Sequence, residues 1–440
     1  MMSNVELVFF MIFLTDVAKF SIPTVAIIGS VTSIVDLVLS PFYGAIISGI
    51  KPLKWGRNRS WMLIAPPAVV IFYMINYTKF GPSETMAAII VCIGFILSHI
   101  IWNIAWVGNV SLIAVLANNA DERALLASRR GFWTAVAGIC FSYVGPPLAI
   151  WYARVTGNEV LGYTLVAGTM AMLMLIGYWT VFKITDGYEP TGEDAEAAAE
   201  PVSVKGMLRN LFQNPPLMFL VLADFCRYVA YFTVLSAASY YFKYIALNPG
   251  GVKNYLLLGG IAALVGSYFA AHLSKALSTR NASIVFSIIC AVFMVIGTYL
   301  GLTSVVLFMV FAVAGRLFLG VTASTYVAMY SDAAIYGEWK TGENAAPFVM
   351  GMMTLPLKCA VFFRSLLIPL VLGAANYDAN IDPAQATAAV KSAIMNINLM
   401  IPGVIAGLGG IILLVAYRLT RDRLNQIQAE VDARHAQVAK

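Results

Sequence analysis

Asp332-Ala333-Ala334-Ile335-Tyr336-Gly337-Glu338-Trp339-Lys340-Thr341-Gly342 is a charge-dense break between two long apolar runs, and Lys358 follows inside the second run. The break matters because of what surrounds it. The 440-residue chain is 60% hydrophobic and 11% charged, with a mean hydropathy of +0.80, far from the range of water-soluble domains. A helix crossing roughly 30 Å of hydrocarbon needs about 20 mostly apolar residues. Such runs recur from end to end, so most of the chain is expected to lie in a bilayer. Cutting at the polar stretches gives twelve expected spans, near 3–20, 22–50, 62–78, 84–116, 132–153, 161–184, 216–246, 254–277, 283–301, 304–329, 346–375 and 394–417. The break at Asp332 is then the polar loop after span ten.

Composition excludes several function classes. Cys92, Cys140, Cys226, Cys290 and Cys359 all sit inside apolar runs at unrelated spacings, which argues for packing rather than a disulfide framework or a metal cluster. The net charge of +6 is diffuse and suggests no nucleic-acid partner. Met1 to Phe20 carries no basic leader or small-residue cleavage site. No nucleophile–base pair or nucleotide loop points to an enzyme, and no cofactor or bound metal is expected.

The acidic, alanine-rich stretch 185–202 reads as a flexible linker between two halves. From Ser203 to Gln213, Val204, Met207, Leu208, Leu211 and Phe212 share one helical face, the pattern of a short interfacial helix. The expected organisation is 1–184 and 215–417 as two six-helix bundles, 185–214 as linker with interfacial helix, and 418–440 as a solvated helical tail. Lysines and arginines gather after even-numbered spans, at Lys51, Lys54, Arg57 and Arg59, at Arg123, Arg129 and Arg130, and at Lys275 and Arg280. By the positive-inside rule both termini are expected in the cytoplasm.

Ionisable groups at membrane depth are costly and therefore informative. Asp36 lies mid-span with Ser40 one turn on, an oxygen pair suited to a proton or a hard monovalent cation. Lys358, one turn after Thr354, is the opposite charge in the other half. Asp224 and Arg227 are spaced to pair on one helix face, and Arg316 is left to serve that pair or a substrate anion. His99 and His272 read as packing histidines. Glu6 either faces a cavity or marks a helix end. Trp102, Trp106, Trp133, Tyr143, Tyr231, Tyr240 and Tyr241 offer faces on which sugar rings can stack, with Asn103 and Asn109 as polar partners.

Asp-x-x-x-Tyr-Gly-Glu-Trp-Lys-Thr-Gly at 332–342 resembles the loop after span ten of the glycoside-pentoside-hexuronide:cation symporters, the family of melibiose permease. Further matches follow in order: Thr15-Asp16-Val17, Trp55-Gly56-Arg57 with Arg59 and Trp61, Asp121-Glu122-Arg123 with Ser128 and Arg130, Tyr241-Phe242-Lys243-Tyr244, Leu357-Lys358, and Tyr377-Asp378-Ala379-Asn380. The resemblance implies an all-α major facilitator fold of twelve transmembrane helices in two six-helix bundles. It implies a monomer in the cytoplasmic (inner) membrane of a bacterium that takes up a sugar or sugar acid by alternating access, driven by Na⁺, H⁺ or Li⁺.

Carried over residue by residue, Asp36 matches the first of two cation-site aspartates, the second falls on Ser40, and Asn103 replaces a hydroxyl-bearing cation ligand. The family's usual arginine one turn before Asp36 is Ser33. Arg130, Thr354 and Lys358 match sugar-site residues, whereas the span-four aspartate that grips sugar hydroxyls falls on Trp106. A second sugar-gripping aspartate would precede Met1, so span one is about half the expected length and the first helix shortened. One carboxylate instead of two favours H⁺ over Na⁺ as coupling ion, and the less acidic cavity favours an anionic substrate such as a hexuronide over a neutral galactoside. Asp332, Tyr336, Glu338 and Lys340 are expected to act in gating, with ion pairs across the halves to Arg123 or Arg130. The alternatives are a lipid or lysolipid transporter of the same fold and a non-transporting sugar sensor.

Overall fold

The computed structural model describes residues 1–39, 53–56, 58–116, 120–189, 214–341, 349 and 352–438. The chain divides into two compact units, Met1–Val202 with Asp378–Ile381, and Ser203–Tyr377 with Asp382–Lys440. Among the described residues the long regular elements are all helices.

The first unit contains α1 (Met2–Ile12), which runs into a π-helical turn at Phe13–Val17, then α2 (Ile22–Leu39), α3 (Arg59–Ile75), α4 (Glu84–Leu116), α5 (Ala120–Thr156) and α6 (Glu159–Ile184). Its local signals are polar caps and pins. The Asn158 side chain accepts from Leu161 N at the start of α6. Glu84 accepts from both the backbone N–H and the hydroxyl of Ser21, at 2.9 and 2.6 Å, which ties the approach to α2 to the start of α4. Met62, Ala65, Ala105 and Leu112 form a buried cluster joining α3 to α4, with Tyr178, Val181 and Phe182 of α6 packed against it.

The second unit contains α7 (Pro215–Tyr244), α8 (Val252–Leu277), α9 (Thr279–Leu300), α10 (Val305–Thr341) and α11 (Thr354–Ala374). Its last crossing is interrupted: α12 (Ala388–Met395) passes through a π-helical turn at Asn396–Met400 into α13 (Ile401–Val415), and α14 (Arg421–Val438) follows. α8 and α10 approach through glycines. A Cβ on Gly266 would collide with the Leu317 carbonyl, and one on Gly320 with the Ala263 carbonyl. Small residues at such crossings let two backbones meet where lipid supplies no hydrophobic drive. Two family-type motifs also meet here, since Tyr377 Oη donates to Tyr244 Oη at 2.9 Å and Tyr241 stacks on Phe308.

Among the described residues ten helical stretches are long and apolar enough to cross a membrane, and α3, at 17 residues, is shorter. α1 covers only 11 residues. Large apolar side chains such as Ile71, Val306, Leu370 and Val415 remain exposed on these helices, as lipid-facing positions do.

Four expectations change. The polar segment after span ten is not a loop, because α10 continues through Asp332, Tyr336, Glu338 and Lys340 to Thr341. The segment after span four is likewise the opening of α5, and both helices are 37 residues long. At 1.5 Å per residue such a helix runs about 55 Å, well beyond the hydrocarbon. The linker is pinned where it begins. Glu189, 8% exposed, accepts from Asn58 N, Asn58 Nδ2 and Arg59 N, while Arg59 pairs with Asp186 at 2.7 Å and donates to Phe182 O and Thr185 Oγ1. Gly56, at φ +104°, permits the turn beneath that carboxylate. The tail is not merely solvated, since Leu419, Ile427 and Val431 are buried and the first two join a core with Tyr326, Tyr330 and Tyr417. The interfacial helix expected at 203–213 lies outside the described residues.

Candidate functional site

Three successive turns of α4 carry the polar and aromatic groups of the first unit, because positions 99, 102, 103 and 106 share a face at helical spacing. In the middle turn Asn103 Nδ2 donates to Asp36 Oδ1 of α2 at 3.1 Å and to His99 O at 2.8 Å. The structure therefore brings together Asp36 and Asn103, two of the three sequence-predicted cation ligands. The third, Ser40, lies outside the described residues.

One turn further on, Trp106 is 38% exposed and the Arg130 guanidinium lies over its ring at 5.3 Å. A cation over an indole face holds both groups in place and leaves the other indole face for a ligand. Trp102, Trp106 and Tyr178 line a cleft of about 290 Å³, with Met170, Met174 and residues of the Met1–Ser3 segment also in its wall. Arg130 and Trp106, both expected at the substrate site, are thus in contact. Tyr178 was not singled out, since a lone tyrosine in an apolar span has no signal until α6 is seen to pack against α4. Of the other aromatics, Tyr240 and Tyr241 are fully buried core, whereas Trp133 and Tyr143 are well exposed.

One turn before Asn103, His99 departs from the packing role expected of it. Its Nε2 lies 2.9 Å from Glu6 Oε2 of α1, its Nδ1 lies 2.9 Å from Phe95 O, and its ring stacks on Phe95 at 3.7 Å. Glu6 therefore faces inward rather than marking a helix end.

In the second unit the charges largely answer one another. Arg227 Nε donates to Asp224 Oδ1 at 2.7 Å, and Tyr330 Oη donates to Asp224 Oδ2 at 3.1 Å. Arg316 does not join that pair; its guanidinium lies 4.9 Å over the Tyr231 ring. Arg364 Nη1 donates to Ser236 Oγ at 2.9 Å. Thr354 is the first residue of α11 and exposed, and Lys358 is half-buried in the second turn. At the end of α10, Trp339 Nε1 donates to Glu430 Oε2 of α14 at 2.6 Å, Arg434 Nη1 donates to Trp339 O at 2.7 Å, and Arg423 lies over the Trp339 ring. Asp332, Tyr336 and Glu338 are half-buried beside this contact and Lys340 is exposed. The side chain of Arg123, an expected gating partner, lies outside the described residues.

Long apolar helices in two units, with a carboxylate, an aromatic cleft and several buried cations among them, are the make-up of a multi-pass membrane transporter. The chain belongs to the family described as MFS/sugar transport protein, whose sequence model matches residues 1–421. It is similar to the isoprimeverose transporter of Lactiplantibacillus pentosus, 25% identical, with 98% of this chain and 88% of that one covered. It is also similar to the putative glycoside/cation symporter YagG of Escherichia coli (strain K12), 24% identical over 95% of this chain and 89% of the relative. In fold it is similar to the nucleoside transporter NupG, with a TM-score of 0.60, 12% identity, and 95% of this chain and 96% of that chain covered. The resemblance to glycoside-pentoside-hexuronide:cation symporters is thereby borne out, and the family is one of membrane transporters rather than enzymes.

Proposed function

We propose that the protein takes up a sugar, glycoside or hexuronide by proton symport through alternating access, as a twelve-span monomer of a bacterial cytoplasmic membrane with both termini inside. The observation that carries this reading is the adjacency, on one face of α4, of a carboxylate–amide pair and an aromatic cleft: Asp36 with Asn103, then Trp102, Trp106 and Tyr178 with Arg130. Asp36 carries the coupling proton, with Asn103 orienting it and Ser40 one turn away. A single carboxylate can bind one proton, whereas dry Na⁺ binding favours more than one charged ligand. Trp106 and Tyr178 stack the sugar ring, and Arg130 engages its hydroxyls or a carboxylate. The names of the relatives, an isoprimeverose transporter and a glycoside/cation symporter, support a glycoside substrate over a lipid.

The charged end of α10, Asp332 through Lys340, acts in this reading as a gating element whose ion pairs form in one state and break in the other. Each such pair contributes only about 1 kcal/mol, which suits a two-state equilibrium. Uptake of radiolabelled isoprimeverose, a galactoside and a glucuronide into proteoliposomes tests the whole. Accumulation of one of them with an inward pH gradient in sodium-free buffer is expected. Strict sodium dependence would overturn proton coupling, and failure across the panel would overturn the sugar reading.

A further inference from the structure

We infer that Glu6 and His99 form a proton-binding site of their own, linked through Asn103 to Asp36. The argument is one of donors and acceptors. His99 Nδ1 lies 2.9 Å from Phe95 O, and a carbonyl only accepts, so Nδ1 carries a hydrogen and donates it there. Ser98 Oγ is also 3.3 Å from Nδ1, but it donates its own hydrogen to Phe95 O at 2.9 Å and accepts from Asn76 Nδ2, so it does not protonate the ring from that side. With Nδ1–H fixed, a neutral His99 would present a bare lone pair at Nε2, and an ionised Glu6 only accepts. Two acceptors do not sit 2.9 Å apart, so one proton lies between Nε2 and Oε2. Written as imidazolium–carboxylate or as imidazole–carboxylic acid, the pair has the same total charge and the same single exchangeable proton. Removing that proton leaves two lone pairs facing each other and weakens this tie between α1 and α4.

The surroundings suit a site that exchanges its proton only when access is opened. The Glu6 and His99 side chains are 12% and 6% exposed. Titratable groups reach the pair from two further elements: Tyr73 of α3, which interacts electrostatically with Glu6 and donates its hydroxyl to Met2 O, and Asp36 of α2, which shares the Asn103 amide with His99 O. The His99 ring also meets Trp102, an aromatic wall of the cleft, edge-on at 5.9 Å. Proton occupancy at Glu6–His99 therefore bears on both the carboxylate and the cleft. The inference rests on the proton-coupled reading above and adds a second proton carrier to it.

Glu6→Gln is the test, because an amide N–H can satisfy His99 Nε2 and keep the contact while removing the exchangeable proton. Exchange of labelled for unlabelled sugar across proteoliposomes moves no net proton, whereas accumulation against a gradient does. One pH unit can sustain about tenfold accumulation per coupled proton. Glu6→Gln is expected to exchange like the parent protein and to lose that accumulation. Accumulation at the parent level in Glu6→Gln would overturn the proposal.

Nitrogen-15 spectra of histidine-labelled full-length protein, with His99 assigned by its absence in His99→Gln, provide the second readout, whether or not the first variant folds. A change at His99 Nε2 between about pH 5 and 9 is expected, from a nitrogen that carries or accepts the shared proton to one that does neither, and a signal unchanged throughout would overturn the proposal. Uptake that follows sodium and ignores the pH gradient in the parent protein removes the proton-symport reading instead, and the nitrogen spectra still decide whether the pair titrates.

Discussion

Asp36 and Asn103 show what a residue can and cannot announce from sequence alone. A carboxylate in the middle of an apolar span is conspicuous because burying it without a partner is prohibitive, and the bond from Asn103 supplies that partner. Asp36→Asn keeps the shape and removes one ionisable proton, so gradient-driven accumulation is expected to fall about tenfold per pH unit of gradient while sugar exchange persists. Asn103→Ala removes one hydrogen bond to a carboxylate, about 1.5 kcal/mol. Because that bond favours the ionised carboxylate, its loss corresponds to roughly tenfold tighter binding of the coupling proton, read as a shift of the pH dependence of uptake toward higher pH. Trp106→Ala removes both the stacking face and the support it gives Arg130. A several-fold rise in KM is expected, with Trp106→Phe between the two, and an unchanged KM in the alanine variant would remove Trp106 from the site. Glu6 and His99 were legible only as oddities, because their meaning depends on a contact between residues 93 positions apart. Tyr178 was not legible at all, since its role comes from the packing of α6 on α4 rather than from its neighbours in the chain.

At the scale of elements, polarity proved to mark where a helix leaves the membrane rather than where it ends. Asp332 to Thr341 holds two alanines, a glutamate and a lysine, good helix formers once water is present, and α10 carries the segment outward without a break. The same holds for the Asp121–Arg130 stretch at the start of α5. The apolar runs themselves were readable because each crossing must bury its own backbone polar groups inside one helix. What sequence did not show was the use of the extension as a docking post: Trp339 is held by Glu430 and Arg423 of α14, whose buried face lies in the same core. Trp339→Ala is expected to destabilise the protein by about 2–3 kcal/mol, lowering the thermal midpoint in detergent. Trp339→Phe, which removes the indole N–H bond but keeps an aromatic ring, should show less than half of that. Gly320→Val tests a different junction. Its side chain would enter the space of the Ala263 carbonyl, so loss of folded protein by size-exclusion chromatography is expected, with Gly320→Ala intermediate. A Gly320→Val protein as stable as the parent would mean that α8 and α10 separate without penalty.

The whole chain is two units, each with its own buried core and its own internal answer to its charges. Asp36, Asn103, His99 and Glu6 satisfy one another within the first unit, and Asp224, Arg227 and Tyr330 do so within the second. A unit that buries its own apolar surface and pairs its own ions holds the information for its own folding. The sequence leading up to the division at Val202 and Ser203 is acidic and alanine-rich, a composition that supplies no core. Interrupting the chain there and expressing the two parts together is therefore expected to return both fragments to the membrane and to restore a substantial fraction of sugar uptake. The matched control is a cut between Gly320 and Val321, inside α10 and within the second unit's core. That break severs the backbone hydrogen bonds of a crossing where lipid offers no replacement, each worth several kcal/mol, and no folded second fragment is expected. Membrane recovery of each fragment, followed separately from transport, distinguishes failure to fold from failure to associate. If the division at Val202 proves as damaging as the cut within α10, with neither fragment recovered from the membrane, the two units are not independent folding bodies and their charge pairs must be completed during assembly of the whole chain.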